Sequence, residues 1–113
     1  MPLSGRRGRT FASIGAKSQT DPGAAPGDAA NQTRRALANV AAILEAGGSG
    51  LDQVLQMTVY VSDIDHWPTV NEIYAEVMGD HRPARAVVPV RDLHHGYLVE
   101  IQAIAAVQSE EVL

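Results

Sequence analysis

Val54-Leu55-Gln56-Met57-Thr58-Val59-Tyr60-Val61-Ser62 alternates in polarity, with Leu55, Met57, Val59 and Val61 on one side and Gln56, Thr58, Tyr60 and Ser62 on the other. A period of two is the pattern of a β-strand with one buried face. Helical patterns flank it on both sides. Upstream, Leu37, Val40, Ala41 and Leu44 recur at helical spacing while Arg34, Arg35, Asn39 and Glu45 take other faces. Asp28 supplies an N-cap for this helix, and Gly47-Gly48-Ser49-Gly50 stops it after about Ala46. Downstream, Pro68 suits a first helical turn, Val70, Ile73, Tyr74 and Val77 form an apolar stripe, and Gly79 ends it. A strand between two amphipathic helices belongs to a sheet that those helices cover.

Further out, residues 9 to 16 read as a short strand, followed by a loop punctuated by Pro22-Gly23 and Pro26-Gly27. Two more strands, near residues 84 to 90 and 97 to 107, are separated by the turn-like Asp92-Leu93-His94-His95-Gly96. The order strand, helix, strand, helix, strand, strand predicts an α/β layer: a single mixed sheet with both helices packed on one face. The second sheet face has no remaining element to cover it. Another copy of the chain is the simplest cover, so a homo-oligomer of closed symmetry is expected. The 113 residues fit one domain, with Met1 to Gly8 a loose or atypical N-terminus.

Thirteen acidic against nine basic residues give a net charge of -4, which speaks against a nucleic-acid partner. The chain has no cysteine, so a thiolate nucleophile and a Cys-ligated zinc site are excluded. No run approaches the roughly 20 apolar residues that cross a bilayer, and the opening residues lack a secretory h-region. A soluble, cytoplasmic protein without a membrane partner is the expectation.

The chemistry-bearing residues lie in the last third. Arg85 sits in Pro83-Ala84-Arg85-Ala86-Val87-Val88-Pro89-Val90, and Glu100 in Tyr97-Leu98-Val99-Glu100-Ile101-Gln102-Ala103-Ile104-Ala105. An ion inside an apolar strand must be paired, solvated by a pocket, or used. If the two strands pair, a guanidinium and a carboxylate could line one cleft. The arginine fork would then grip a substrate carboxylate, and the glutamate would position a water and exchange a proton with it. The bland alternative is a salt bridge between Arg85 and Glu100, or from either to a neighbouring subunit. His94 and His95 beside Asp92 mimic a metal cluster, but adjacent extended residues point to opposite sides and no ligand spacing is present. Trp67 and Tyr74 read as packing residues, and Asn71 lies one helical turn beyond Trp67.

Gln32-Thr33-Arg34-Arg35-Ala36-Leu37-Ala38-Asn39-Val40, Val59-Tyr60-Val61-Ser62-Asp63, Thr69-Val70-Asn71-Glu72-Ile73-Tyr74, Pro83-Ala84-Arg85 and Val99-Glu100-Ile101-Gln102-Ala103-Ile104-Ala105 together resemble the RidA/YjgF family of reactive-intermediate deaminases, over roughly residues 27 to 107. The resemblance implies a chorismate-mutase-like fold of the bacillus type, assembled as a homotrimer with clefts between subunits. It implies cofactor-independent hydrolysis of enamines and imines, such as 2-aminoacrylate and other 2-imino acids, to a 2-oxo acid and ammonia. In that scheme Arg85 clamps the substrate carboxylate and Glu100 orients water. Gly15, Ala86 and Val87 border the substrate, with the backbone beside Val87 holding the imine nitrogen. Trp67 and Asn71 match positions that line the cleft, there from the adjacent subunit. No metal or cofactor is implied.

The chain departs from the family pattern at several points. Ile14-Gly15 stands where a Ser-Gly pair is usual, Val87 replaces a frequent cysteine, the loop before Pro83 is shorter, and His94-His95-Gly96 replaces the usual turn. An imine deaminase is therefore weighed against a non-catalytic trimer that binds small carboxylates or regulates, and against the endoribonuclease role historically attached to the family.

Overall fold

The computed structural model describes residues 9–16 and 28–108. The expected character of Met1 to Gly8 and the loop between the first strand and first helix lie outside them. Six main elements follow in the expected order: β1 (Arg9–Ala16), α1 (Ala29–Ala46), β2 (Val54–Val61), α2 (Trp67–Met78), β3 (Ala84–Pro89) and β4 (Val99–Gln108). The four strands form one mixed sheet in the order β1-β4-β2-β3. β4 runs antiparallel to both neighbours, whereas β2 and β3 are parallel. The parallel step is the one bridged by α2, as a crossover connection requires.

Helix ends are set by local chemistry. The Asp28 carboxylate accepts from the Asn31 amide at 2.8 Å and caps α1. At the other end Ser49 N–H donates to the Leu44 carbonyl at 2.8 Å, with Gly48 at φ 83, a backbone state that favours glycine. The Ser49 hydroxyl then donates to the Ala106 carbonyl at 2.7 Å, which ties the end of α1 to β4. Pro68 occupies the first turn of α2, where a missing N–H costs nothing.

Both helices cover one sheet face. Met57, Val59 and Val61 of β2 and Val99, Ile101, Ala103 and Ala105 of β4 are buried against Ala36, Leu37, Val40 and Leu44 of α1 and Val70, Tyr74 and Met78 of α2. Complete burial of side chains such as Leu37 or Ile101 is worth about 1.5–3 kcal/mol each. Among the described residues, two buried polar side chains in this layer, Gln32 and Thr33, are hydrogen-bonded. Gln32 accepts from the Leu98 amide at 2.8 Å through Oε1, which fixes the approach to β4 against α1. Thr33 donates to the Ala29 carbonyl at 2.7 Å.

Two expectations about the core need correction. Leu55 is not on the buried face: it is 48% exposed, because Val54 pairs with Ala105 and Gln56 with Ile104, leaving Leu55 as the extra residue of a bulge. The bulge shifts the alternation, so Val54 is buried as well as Met57. In α2 the stripe uses Met78, while Val77 is 37% exposed. Val70, Tyr74 and Met78 stand four residues apart and form the row that meets the sheet. Among the described residues, no helix is long and apolar enough to cross a membrane.

Candidate functional site

Arg85 lies on β3, an edge strand, where Pro89 can sit without breaking a ladder on both sides. Its register partner is Met57, so it points to the helix-covered face. Trp67, Asn71 and Tyr74 occupy one face of α2 at spacings of four and three residues, and all three meet the arginine. The guanidinium carbon stands 4.8 Å from the Trp67 ring centroid and 4.7 Å from that of Tyr74. Nη1 donates to Asn71 Oδ1 at 3.0 Å. Flat aromatic faces attract a cation without neutralising it, and an amide oxygen orients it without adding charge. The side chain remains exposed and thus keeps its charge available.

Beneath the guanidinium, Tyr74 is 6% exposed and its hydroxyl has no hydrogen-bond partner among the described residues. Burial pushes its pKa above the ordinary 10.0, and the positive charge of Arg85 opposes part of that rise. Beside it opens a cleft of about 380 Å³, whose walls include Asn71, Tyr74, His81, Arg82, Pro83 and Arg85. The segment between α2 and β3 is held in place by His81, whose Nε2 donates to the Val54 carbonyl at 2.8 Å. Since that carbonyl only accepts, the ring must carry its proton on Nε2.

Glu100 is placed differently. It lies opposite Tyr60 on the sheet face away from the helices, half-buried, in the row next to Gln102 and Thr58. Tyr60 donates to Gln102 Oε1 at 3.4 Å along this face. Ala86 is in register with Thr58, Thr58 with Gln102, and Gln102 with Gly15, so one row crosses all four strands.

The sequence-derived candidates therefore fall into two groups. Arg85, Val87, Trp67 and Asn71 belong to the helix side and its edge, whereas Glu100, Ala86 and Gly15 belong to the face away from the helices. The condition on which Arg85 and Glu100 of one chain would line a common cleft, that their strands pair, is not met: β2 lies between β3 and β4, and the two residues project from opposite faces. An internal salt bridge between them is excluded by the same geometry. Trp67 and Asn71, expected beside Arg85 from an adjacent subunit, stand against it in the same chain.

Tyr74, Arg82 and His81 were not singled out by sequence reasoning as site residues. For Tyr74 a signal existed, since positions 67, 71 and 74 share a helix face. His95 adopts φ 60 in the short turn His94–Gly96. Among the described residues no group of three or more His, Cys, Asp or Glu is arranged to hold a metal ion.

Comparison with known proteins agrees with this architecture. Residues 8–107 match the family model described as Endoribonuclease L-PSP. A RutC family protein of Pyrococcus horikoshii is 47% identical over 79 residues, covering 70% of this chain and 63% of the relative. A 2-iminobutanoate/2-iminopropanoate deaminase of Bos taurus is 40% identical over 80 residues, covering 71% of this chain and 58% of the relative. The chain thus spans less than two thirds of the length of these curated relatives. Among solved structures, Escherichia coli TdcF with bound serine superposes with a TM-score of 0.78 at 33% identity, over 89% of this chain and 81% of that one.

Proposed function

Because this chain belongs to the RidA/YjgF family, with the Endoribonuclease L-PSP model matched along nearly its whole length, we propose that it hydrolyses small 2-imino acids and their enamine tautomers to a 2-oxo acid and ammonia. The observation that carries the reading is the exposed guanidinium of Arg85, held by Trp67, Tyr74 and Asn71 with no carboxylate in that grip among the described residues. Such a group is preorganised for a bidentate substrate carboxylate. The named activity of the bovine relative and the serine bound to TdcF support a ligand built like an amino acid.

Hydrolysis needs a second group. Water adds to the imine carbon, a proton passes to the nitrogen, and the tetrahedral adduct expels ammonia to leave the oxo acid. Glu100 is the carboxylate proposed to orient that water and relay the proton. Since it lies across the sheet from Arg85 in its own chain, the complete site is proposed to join Arg85 of one protomer with Glu100 of another. A homotrimer supplies that pairing and covers the open sheet face with a second copy. Gly15, Ala86 and the backbone beside Val87 would border the substrate.

The test is release of 2-oxo acid from freshly generated 2-aminoacrylate. The rate should exceed the spontaneous one, and Arg85→Ala and Glu100→Gln should each remove the gain. A purified oligomer giving only the buffer rate with several imino acids would refute the proposal. Carboxylate binding without turnover is the second reading, favoured by the serine held in TdcF. Calorimetric binding of a 2-oxo acid by a protein inactive in that assay would select it.

A further inference from the structure

The cleft beside Arg85 has a one-sided charge. Its walls carry Arg82 and Arg85, and no aspartate or glutamate lines it among the described residues, although the chain as a whole is acidic. Its volume of about 380 Å³ exceeds what a three- or four-carbon imino acid fills. Its wall also includes Tyr74, whose buried hydroxyl has no hydrogen-bond partner among the described residues. A single substrate carboxylate engages one guanidinium fork, which leaves the second arginine without an assigned partner in this cleft.

Concentrated positive charge in a concave site lowers the free energy of an anion there and discriminates against neutral groups. We infer that the cleft selects 2-imino acids bearing a second anionic group, with Arg85 on the carboxylate next to the reacting carbon and Arg82 on the distal anion. The inference rests on the proposed function for the role of Arg85, and it adds Arg82 as the residue that sets substrate choice. Tyr74 belongs to the same wall, under the Arg85 guanidinium. Arg82 is exposed and follows the His81 anchor directly, so its backbone is positioned while its side chain is free to reach toward the cleft.

Binding read by calorimetry tests this separately from turnover, with 2-oxobutanoate, 2-oxoglutarate and 3-phosphonopyruvate as probes. At least one of the two doubly anionic probes should bind about tenfold tighter than 2-oxobutanoate, equivalent to about 1.4 kcal/mol. Whichever is favoured identifies the second group as carboxylate or phosphonate. The ratio should fall toward unity in Arg82→Gln, recover in part in Arg82→Lys, and shrink with added salt. Equal affinities in the wild-type protein would overturn the inference and leave the proposed function standing. A preference that survives Arg82→Gln would overturn it too. If no probe binds, including 2-oxobutanoate, the carboxylate-gripping role of Arg85 fails and this inference falls with it.

Discussion

Replacing Tyr74 by phenylalanine should stabilise the protein. The ring is 6% exposed, packs against the core, and lies under the Arg85 guanidinium at 4.7 Å. Phenylalanine keeps the ring, its buried area and most of the cation-π attraction. What disappears is a buried hydroxyl without a partner among the described residues. Burying such a group unsatisfied costs about 1–3 kcal/mol relative to leaving it in water. A net gain of about 1–2 kcal/mol follows, which for a urea m-value of about 2 kcal/mol/M moves the midpoint up by about 0.5–1 M.

The pH dependence gives an independent check. Burial raises the folded-state pKa of Tyr74 above the unfolded value of 10.0, so above pH 10.0 the unfolded chain releases a proton that the folded one retains. Wild-type stability tied to this group is therefore full below pH 10.0 and declines as pH rises toward the folded pKa, while the phenylalanine variant lacks that decline. Its advantage should widen above pH 10.0. Urea titrations of both proteins at one protomer concentration, at neutral pH and at about pH 10.5, measure the two effects. A variant less stable than wild type by more than about 0.5 kcal/mol would refute the reasoning, since it would mean that the hydroxyl has a partner worth a net hydrogen bond.

Gln32→Leu removes the acceptor for the Leu98 amide and should cost about 1–2 kcal/mol in chemical unfolding, with little change in volume. Gly79→Ala places a Cβ at φ 60 and ψ -126 after α2, and a loss of about 1–3 kcal/mol is expected from strain alone, since no atom lies within 4 Å of the new group. Leu55→Glu changes a bulged, exposed side chain and should move the stability of the isolated fold by no more than about 0.5 kcal/mol. If sedimentation shows the same variant losing its assembly, Leu55 belongs to a contact between copies.

The order and near-limits of all six elements could be read from the sequence, because caps, glycine stops and apolar period are local. Asp28, Gly47 and Gly79 act where they stand in the chain. The Leu55 bulge could not be read, since it arises from how β2 registers with a strand about fifty residues later, and perfect alternation conceals it. Strand order escaped for the same reason. β4 returns to the middle of the sheet and leaves β3 at the edge, so two neighbouring runs in sequence do not pair. The identity of Arg85 and Glu100 as the unusual charges was evident, but their separation onto two faces depends on that order. Gln32 carried no local sign of its partner, an amide 66 residues away, and the helix face that Tyr74 shares with Trp67 and Asn71 does not show which guanidinium reaches it from β3.

Since Arg85 and Glu100 project from opposite faces of one sheet, their joint action requires two protomers. The decisive measurement is complementation between Arg85→Ala and Glu100→Gln, each expected to be inactive alone, after joint unfolding and refolding in equal amounts. In a randomly mixed trimer about a quarter of the interfaces combine an intact arginine with an intact glutamate, so activity should return to about a quarter of the wild-type value. A mixture that stays as inactive as its components, although mixed assemblies have formed, would contradict a site shared in this way.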